Sequence, residues 1–351
     1  MPHTLVTGAN SFVGAHVISA LINAGYTVTG SVRRASAGAD VLTEHPEWKE
    51  KLDFVEIADY ATPGVWDTVF KEREFDYIVH VASPMVGDEK NTDYERDWLL
   101  PAVNGELSLL KSAQQFAKSM KHIAITGSIN AISMGDDLAD RVLTNESWNR
   151  VSQDEARAAN HYFVSYCSSK KESELAVWEF VNTANPSFGV TVFLPPLIFG
   201  PPIQPIRKPI SQGINFSVDI LHSIWNGKYE EIPATMFPSW IDARDLAEAH
   251  VKSLTAPGAR NKRFLVGGFP LTNTALARSI RSQAERGDLP RSVLEKLAKE
   301  GNADRNTAVP KIEAGEATEA LGLKFRTMDE MVKDTVERIL ELQAHEQRAK
   351  G

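Results

Sequence analysis

Residues 3–7, His-Thr-Leu-Val-Thr, run straight into Gly8-Ala9-Asn10-Ser11-Phe12-Val13-Gly14, and Val13, Val17, Ile18, Leu21 and Ile22 then recur at helical spacing. A short apolar strand, a glycine turn and an amphipathic helix, in that order, form the context of a dinucleotide-binding βαβ unit. Gly8 permits the tight turn and Gly14 lets helix and strand approach closely. The helix N-terminus then offers donors and positive potential to a pyrophosphate. The middle position of the fingerprint is Ser11 rather than glycine, which puts a hydroxymethyl near the phosphates and a hydroxyl that can donate to one. A glycine turn with no ligand is the rival reading.

The same alternation continues down the chain. Apolar runs at 27–32, 54–57, 77–81, 122–126 and 190–194, with a further one at 262–266, are separated by stretches of helical character. Strands that read as continuous apolar runs between helices predict a parallel sheet covered on both faces. The fold expected is therefore α/β, a Rossmann-type doubly wound parallel sheet with a smaller C-terminal substrate-binding lobe. Residues 1–194 are expected to form the dinucleotide-binding core, with 239–266 returning to it, and 195–351 to supply mainly the lobe and C-terminal helices. Helices are expected over about 93–119, 213–226, 244–254 and 327–345. Residues 285–315, polar and weakly periodic, read as mobile.

Ligands of such a sheet bind beyond the C-terminal ends of its strands. The second strand ends in Arg33-Arg34, where a carboxylate would bind an NAD ribose and arginine accepts a 2′-phosphate, so NADP(H) is favoured over a solvated charge pair. Asp59-Tyr60 follows the third strand at the adenine edge, and Val81-Ala82-Ser83 follows the fourth. Thr126-Gly127-Ser128 ends the fifth, where a hydroxyl on Ser128 can orient a carbonyl. Tyr166 and Lys170 begin a helical run through Leu175, Val177, Trp178 and Val181. Four residues apart, they share a helix face, and an ammonium beside a phenol favours phenolate and draws its pKa toward neutrality. Taken alone this pair is more often an ordinary helix face. An independent hydride-carrying site in the same chain changes that.

The 46 acidic residues outnumber 38 basic ones, for a formal charge of -8, which argues against a nucleic-acid surface. The single cysteine, Cys167, forms no internal disulfide and suits a reducing compartment. With a strand beginning by Leu5 there is no room for a signal sequence, so a cytoplasmic location is expected. The apolar segment 190–203 is broken by Pro195, Pro196, Pro201 and Pro202, so no membrane span is expected. The polar stretch 135–160, with Asp136, Asp137, Asp140, Glu146, Asp154 and Glu155, matches no calcium loop and has no histidine pair. It reads as a solvated connection, and no metal is expected.

These residues together resemble the extended short-chain dehydrogenase/reductase superfamily, within it the dihydroflavonol reductase-like branch, and most of all its fungal aldehyde and ketone reductases. The resemblance is collinear. It runs through Thr7-Gly8-Ala9-Asn10, Phe12-Val13-Gly14, Val32-Arg33, Asp59, His80-Val81-Ala82-Ser83-Pro84, Pro101-Ala102-Val103-Asn104-Gly105 and Thr126-Gly127-Ser128. It continues through Tyr166, Ser169-Lys170, Leu194-Pro195-Pro196, Trp240-Ile241-Asp242-Ala243-Arg244-Asp245-Leu246-Ala247 and Leu321-Gly322-Leu323-Lys324-Phe325. The resemblance implies a catalytic set of Ser128, Tyr166 and Lys170. Tyr166 would protonate the substrate oxygen, Lys170 would lower the tyrosine pKa and hold the nicotinamide ribose, and Ser128 would fix the carbonyl. The expected cofactor residues are Gly8, Asn10, Ser11, Phe12, Val13, Gly14, Arg33, Arg34, Asp59, Tyr60, Val81, Ala82, Ser83, Thr126, Tyr166 and Lys170. Pro195, Leu197 and Ser217 complete the set. The branch often carries a lysine shortly after its phosphate-binding arginine; here the stretch is Arg34-Ala35-Ser36-Ala37.

The activity expected is NADPH-dependent reduction of an aldehyde or ketone to an alcohol. Pocket walls are expected from the loops after Ser83 and Ser128 and from 199–237. Met85, Ile132, Met134 and Trp225 there suggest a small apolar carbonyl substrate. A nucleotide-sugar epimerase or dehydratase would need a polar lobe, whereas this one is apolar around Leu197, Ile198, Phe199, Ile203 and Phe237. A non-catalytic NADP-sensing protein would not need an intact Ser, Tyr and Lys set. A monomer or homodimer is expected.

Overall fold

The computed structural model describes residues 1–83, 93–135 and 141–350. Its first half alternates β1 (His3–Thr7), α1 (Phe12–Asn23), β2 (Thr27–Val32), α2 (Ala35–Glu44), β3 (Leu52–Glu56), α3 (Asp67–Glu72) and β4 (Tyr77–His80). Next come α4 (Leu100–Phe116), β5 (His122–Thr126), β6 (Val142–Leu143), α5 (Gln153–Ala159), α6 (Tyr162–Ala184) and β7 (Gly189–Leu194). The C-terminal part holds β8 (Leu197–Phe199), α7 (Phe216–Trp225), β9 (Ser239–Asp242), α8 (Ala243–Ser253), β10 (Lys262–Leu265) and β11 (Phe269–Pro270). It ends with α9 (Asn273–Arg286), β12 (Lys311–Ile312), α10 (Gly315–Leu321) and α11 (Met328–Lys350).

Seven strands pair in parallel in the order β10-β7-β5-β4-β1-β2-β3. The chain builds outward from β1 to β3, then returns to β4 on the other side of β1. The topological switch therefore opens a crevice between the C-terminal ends of β1 and β4. Successive strand residues face opposite layers. Val6, Val79 and Ala124 pack with Val17, Ile18 and Leu21 of α1 and Leu246 and Ala247 of α8. Leu5, Ile78, Ile123 and Ile125 pack instead with Phe70 of α3, Leu109 and Leu110 of α4 and Val177 and Phe180 of α6. Both sheet faces are thus covered, which is why the strands read as unbroken apolar runs.

Residues 94–99 form a π-helical turn leading into α4. Pro101 has no N–H to offer the carbonyl a turn before it, so the ladder widens there rather than breaking. A third core joins Val218 and Leu221 of α7, Leu276 and Ile280 of α9, and Met331, Val332, Val336 and Ile339 of α11. Beside it, β8, β9 and β11 form a small separate sheet. Two expectations are corrected. Leu289, Val293 and Ala298 are buried in the third core, so the segment 285–315 is anchored by isolated apolar residues that show no period. Within 135–160, Leu143, Asn145 and Asn149 are buried, and β6 pairs with β12, so that stretch is not simply a solvated connection. Asp136, Asp137 and Asp140 lie outside the described residues. Among the described residues no helix is long and apolar enough to cross a membrane.

Candidate active site

At the end of β1, Gly8 takes a φ of +68°, a conformation that favours glycine. A Cβ there would lie 3.2 Å from the Ala82 amide nitrogen, so the β1 and β4 loops meet across the crevice. A Cβ on Gly14 would lie 2.2 Å from the Gly8 carbonyl oxygen, so only glycine allows α1 this close to the turn. Ser11 is the N-cap of α1, its Oγ accepting from the Gly14 amide at 3.1 Å. The hydroxyl that replaces the expected glycine thus closes the helix end, and its own proton stays available. Of the donors that a helix start leaves over, those of Phe12 and Val13 remain at the crevice beside exposed Asn10.

Arg33 and Arg34 are exposed at the end of β2. The Glu56 carboxylate lies close by, accepting from the Ala35 amide at 2.8 Å. Exposed Asp59 accepts from the Ala61 amide and the Thr62 hydroxyl, each at 3.0 Å, and lines a surface cleft with Pro101 and Asn104. Val81 and Ala82 both donate backbone N–H groups to Thr7 Oγ1 at 3.0 Å, which sets the course of the β4 loop.

Ser128 follows β5 and caps a short turn, its Oγ accepting from the Asn130 amide at 3.1 Å. The Tyr166 hydroxyl, presented by α6, lies 3.5 Å from Ser128 Oγ. One turn further along α6, Lys170 Nζ donates to Ser83 Oγ at 2.5 Å and lies 5.9 Å from the centre of the Tyr166 ring. Three sheet-edge loops and one helix therefore converge at the crevice. Two asparagines that carried no sequence signal hold this arrangement. Buried Asn149 donates to the carbonyls of Asn130 at 2.6 Å and Cys167 at 2.9 Å, tying α6 to the loop after β5. Asn130 Oδ1 in turn accepts from Ser128 at 3.3 Å.

The electrostatics differ from expectation in one respect. Burial holds the Tyr166 pKa above its ordinary value, with the Ser128 contact opposing it, while the ammonium of Lys170 donates to Ser83. Tyr166 is thereby kept as the neutral phenol, the form that donates a proton.

Several residues expected to touch the cofactor engage other partners within the chain. The Thr126 hydroxyl pairs with buried His250 Nε2 at 2.9 Å on the α8 side of the sheet. The Tyr60 hydroxyl is buried, its ring packed against Gly105 and edge-on to His80. Ser217 is buried and spends its hydroxyl on the Ile198 carbonyl. Pro195 is buried and its carbonyl accepts from the Ile129 amide at 3.0 Å, while Leu197 pairs with Trp240 in the small sheet. Among the expected pocket walls, Ile132 and Trp225 are core residues, 0% and 6% exposed, because both are committed to packing between layers. Met134 packs beside Tyr166, and Met85 lies outside the described residues. Near the start of α6 lies an aromatic group that periodicity did not mark. Phe163, one turn before Tyr166, sits 6.0 Å from Phe237, which sits 5.9 Å from Phe216. Phe216 is 60% and Met236 75% exposed, an unusual display of apolar surface.

Comparison with known proteins extends this picture over the whole chain. An uncharacterized oxidoreductase of Schizosaccharomyces pombe is 32% identical over 340 residues, covering 96% of each chain. The NADPH-dependent methylglyoxal reductase GRE2 of Saccharomyces cerevisiae is 29% identical over 348 residues, 96% of this chain and 98% of that one. The crystal structure of Gre2 from Candida albicans in complex with NADPH superposes with a TM-score of 0.84 at 29% identity, covering 97% of this chain and 99% of the other. The profile of the NAD dependent epimerase/dehydratase family matches residues 4–267, and with the glycine turn, the parallel sheet and the crevice already in place, the chain belongs to that family.

Proposed function

We infer that this chain is an NADPH-dependent carbonyl reductase that converts an aldehyde or ketone to an alcohol. The observation that carries the reading is the meeting of the Tyr166 hydroxyl, the Ser128 hydroxyl and the Lys170 ammonium beside the glycine turn of β1. The cradle suits a dinucleotide, since a side chain at Gly14 would fill the space between turn and helix. The α1 N-terminus would hold the pyrophosphate, Arg33 and Arg34 the 2′-phosphate, and Asp59 the adenine edge. Two relatives with this architecture along nearly their whole length carry NADPH in their names or as a bound ligand, which supports that choice of cofactor.

NADPH, when bound, supplies the hydride to the carbonyl carbon. The protein does the rest. Ser128 orients the substrate oxygen, and Tyr166, kept protonated by burial, donates its phenolic proton to that oxygen as negative charge develops. Lys170 would hold the nicotinamide ribose and, once the phenol gives up its proton, offset the phenolate charge. Phe163, Phe216, Met236 and Phe237 would give the site an apolar rim suited to a small apolar substrate and not to a sugar diphosphate, which favours reduction over epimerisation. Residues 195–351, apart from 239–266, would form the lobe that receives this substrate, and the enzyme would act as a monomer or homodimer. The test is purified protein with NADPH and a panel of aldehydes and ketones, followed by absorbance of the reduced nicotinamide. Net oxidation that depends on the carbonyl supports the reading; cofactor that stays bound with no net turnover refutes it.

A further inference from the structure

Beneath the β1/β4 crevice lies a buried group of polar side chains that the reaction just described does not use. Thr7 Oγ1 accepts from the Val81 and Ala82 amides, which occupies its lone pairs, so its single proton goes to His80 Nδ1 at 2.8 Å. His80 thus carries its own proton on Nε2, and burial keeps the ring neutral by pulling its pKa down to about 3. That Nε2 faces Glu106 Oε2 at 3.5 Å. His80 is 1% and Glu106 12% exposed, and among the described residues neither of these two facing atoms has a hydrogen-bond partner. A carboxylate placed here, with Tyr60 beside it, needs a reason.

Lys170 supplies one. Glu106 stands on α4, which packs against α6, where Lys170 stands. The ammonium is near enough to bear on both His80 and Glu106, and the other carboxylate bearing on it among the described residues is Glu174, one turn along α6. Glu174 is already spent: it is paired with Arg263 of β10 at 2.5 and 3.2 Å and accepts from Trp178 at 3.1 Å. Glu106 is the carboxylate left over. We propose that Glu106 is a positioning residue for Lys170, a counter-ion seated on His80 that takes up negative charge where the buried ammonium would otherwise be lost. Burial raises the Glu106 pKa to about 8 and lowers that of Lys170, while their mutual attraction opposes both shifts. As the pH rises, Glu106 is the group that releases a proton, and its charge then keeps Lys170 an ammonium.

This rests on Lys170 belonging to the active site, but its first test needs no turnover. Lys170 in the full-length protein is pulse-labelled with acetic anhydride across pH 6–11 and read by peptide mass, since only the free amine reacts. Glu106→Gln, which keeps shape and removes the charge, should lower the pH of half-maximal labelling by about one unit or more. Glu106→Asp should give a smaller shift of the same sign, and it stands as the test if the glutamine variant does not fold. Coincident labelling curves for wild type and both variants overturn the proposal. If the protein turns over a carbonyl, the alkaline limb of kcat should move to lower pH in Glu106→Gln with little change in substrate KM, and an unmoved limb also overturns it. Absence of turnover in the wild type would count against the reductase reading alone.

Discussion

Gly14→Ala probes whether the glycine turn is built for a dinucleotide. The new Cβ would lie 2.2 Å from the Gly8 carbonyl oxygen and 2.9 Å from Ser11 Oγ, against the 3.0 Å below which real Cβ contacts essentially never fall. Either α1 or the turn must therefore shift by at least 0.8 Å. The Gly8 carbonyl cannot move alone, because it accepts from the Ser11 amide at 2.9 Å. Such overpacking costs about 1–3 kcal/mol, a fall of roughly 1–4 °C in the melting midpoint of a chain this long. The amides of Phe12 and Val13 move with the helix. Misaligning one of these charge-assisted donors costs NADPH roughly tenfold to hundredfold in affinity. Calorimetry gives the first quantity and fluorescence titration of the nicotinamide the second. At saturating NADPH, kcat should stay within a few-fold of wild type, since Ser128, Tyr166 and Lys170 stand on other elements. A folded variant that binds NADPH as tightly as wild type would refute the cradle.

Two further perturbations test other parts of the account. Arg33→Ala should weaken NADPH by about tenfold or more while leaving NADH nearly unchanged, as measured by the same titration, because only the 2′-phosphate loses its charged partner; equal losses for the two cofactors would remove the 2′-phosphate assignment. Arg263→Ala should destabilise the fold by about 3–5 kcal/mol in denaturant unfolding, since it strands the Glu174 carboxylate, only 2% exposed. Burial already raises the Glu174 pKa. The variant's folded state would then bind that proton more tightly than the unfolded chain, so the loss should be smallest at acid pH and grow as the pH rises through the carboxylate range. A loss that shrinks with rising pH would contradict this.

The sheet was legible because burial on both faces writes itself into unbroken apolar runs, whereas the edge strand at 262–265 is apolar only from Phe264 onward. Strand parity also gives the layer of the Thr126 side chain: it follows Ala124 at a spacing of two, and so faces α8. Ile132 and Trp225 show the limit of composition, for an apolar side chain suits a pocket wall and a core equally well. The i, i+4 spacing of Tyr166 and Lys170 put both on one face but could not show that the ammonium reaches across to Ser83. Nor could it show that burial then governs the phenol. Contacts such as His80 with Glu106, or Asn149 with Cys167, join residues far apart in sequence, and no local pattern announces them. Helix α9 did leave a signal: Thr272 caps it, and Leu276, Ala277, Ile280 and Ala284 form its stripe.

The most direct test of the central claim is Tyr166→Phe, measured for NADPH affinity and carbonyl reduction in the same preparation. The phenyl ring keeps its edge contact with Trp98, 6.1 Å between centroids, so the fold and the cofactor site are retained and only the proton donor is lost. Turnover should fall by about 10²–10⁴-fold, with the dissociation constant for NADPH within a few-fold of wild type. A phenylalanine variant that still reduces carbonyls at a substantial fraction of the wild-type rate would contradict the account.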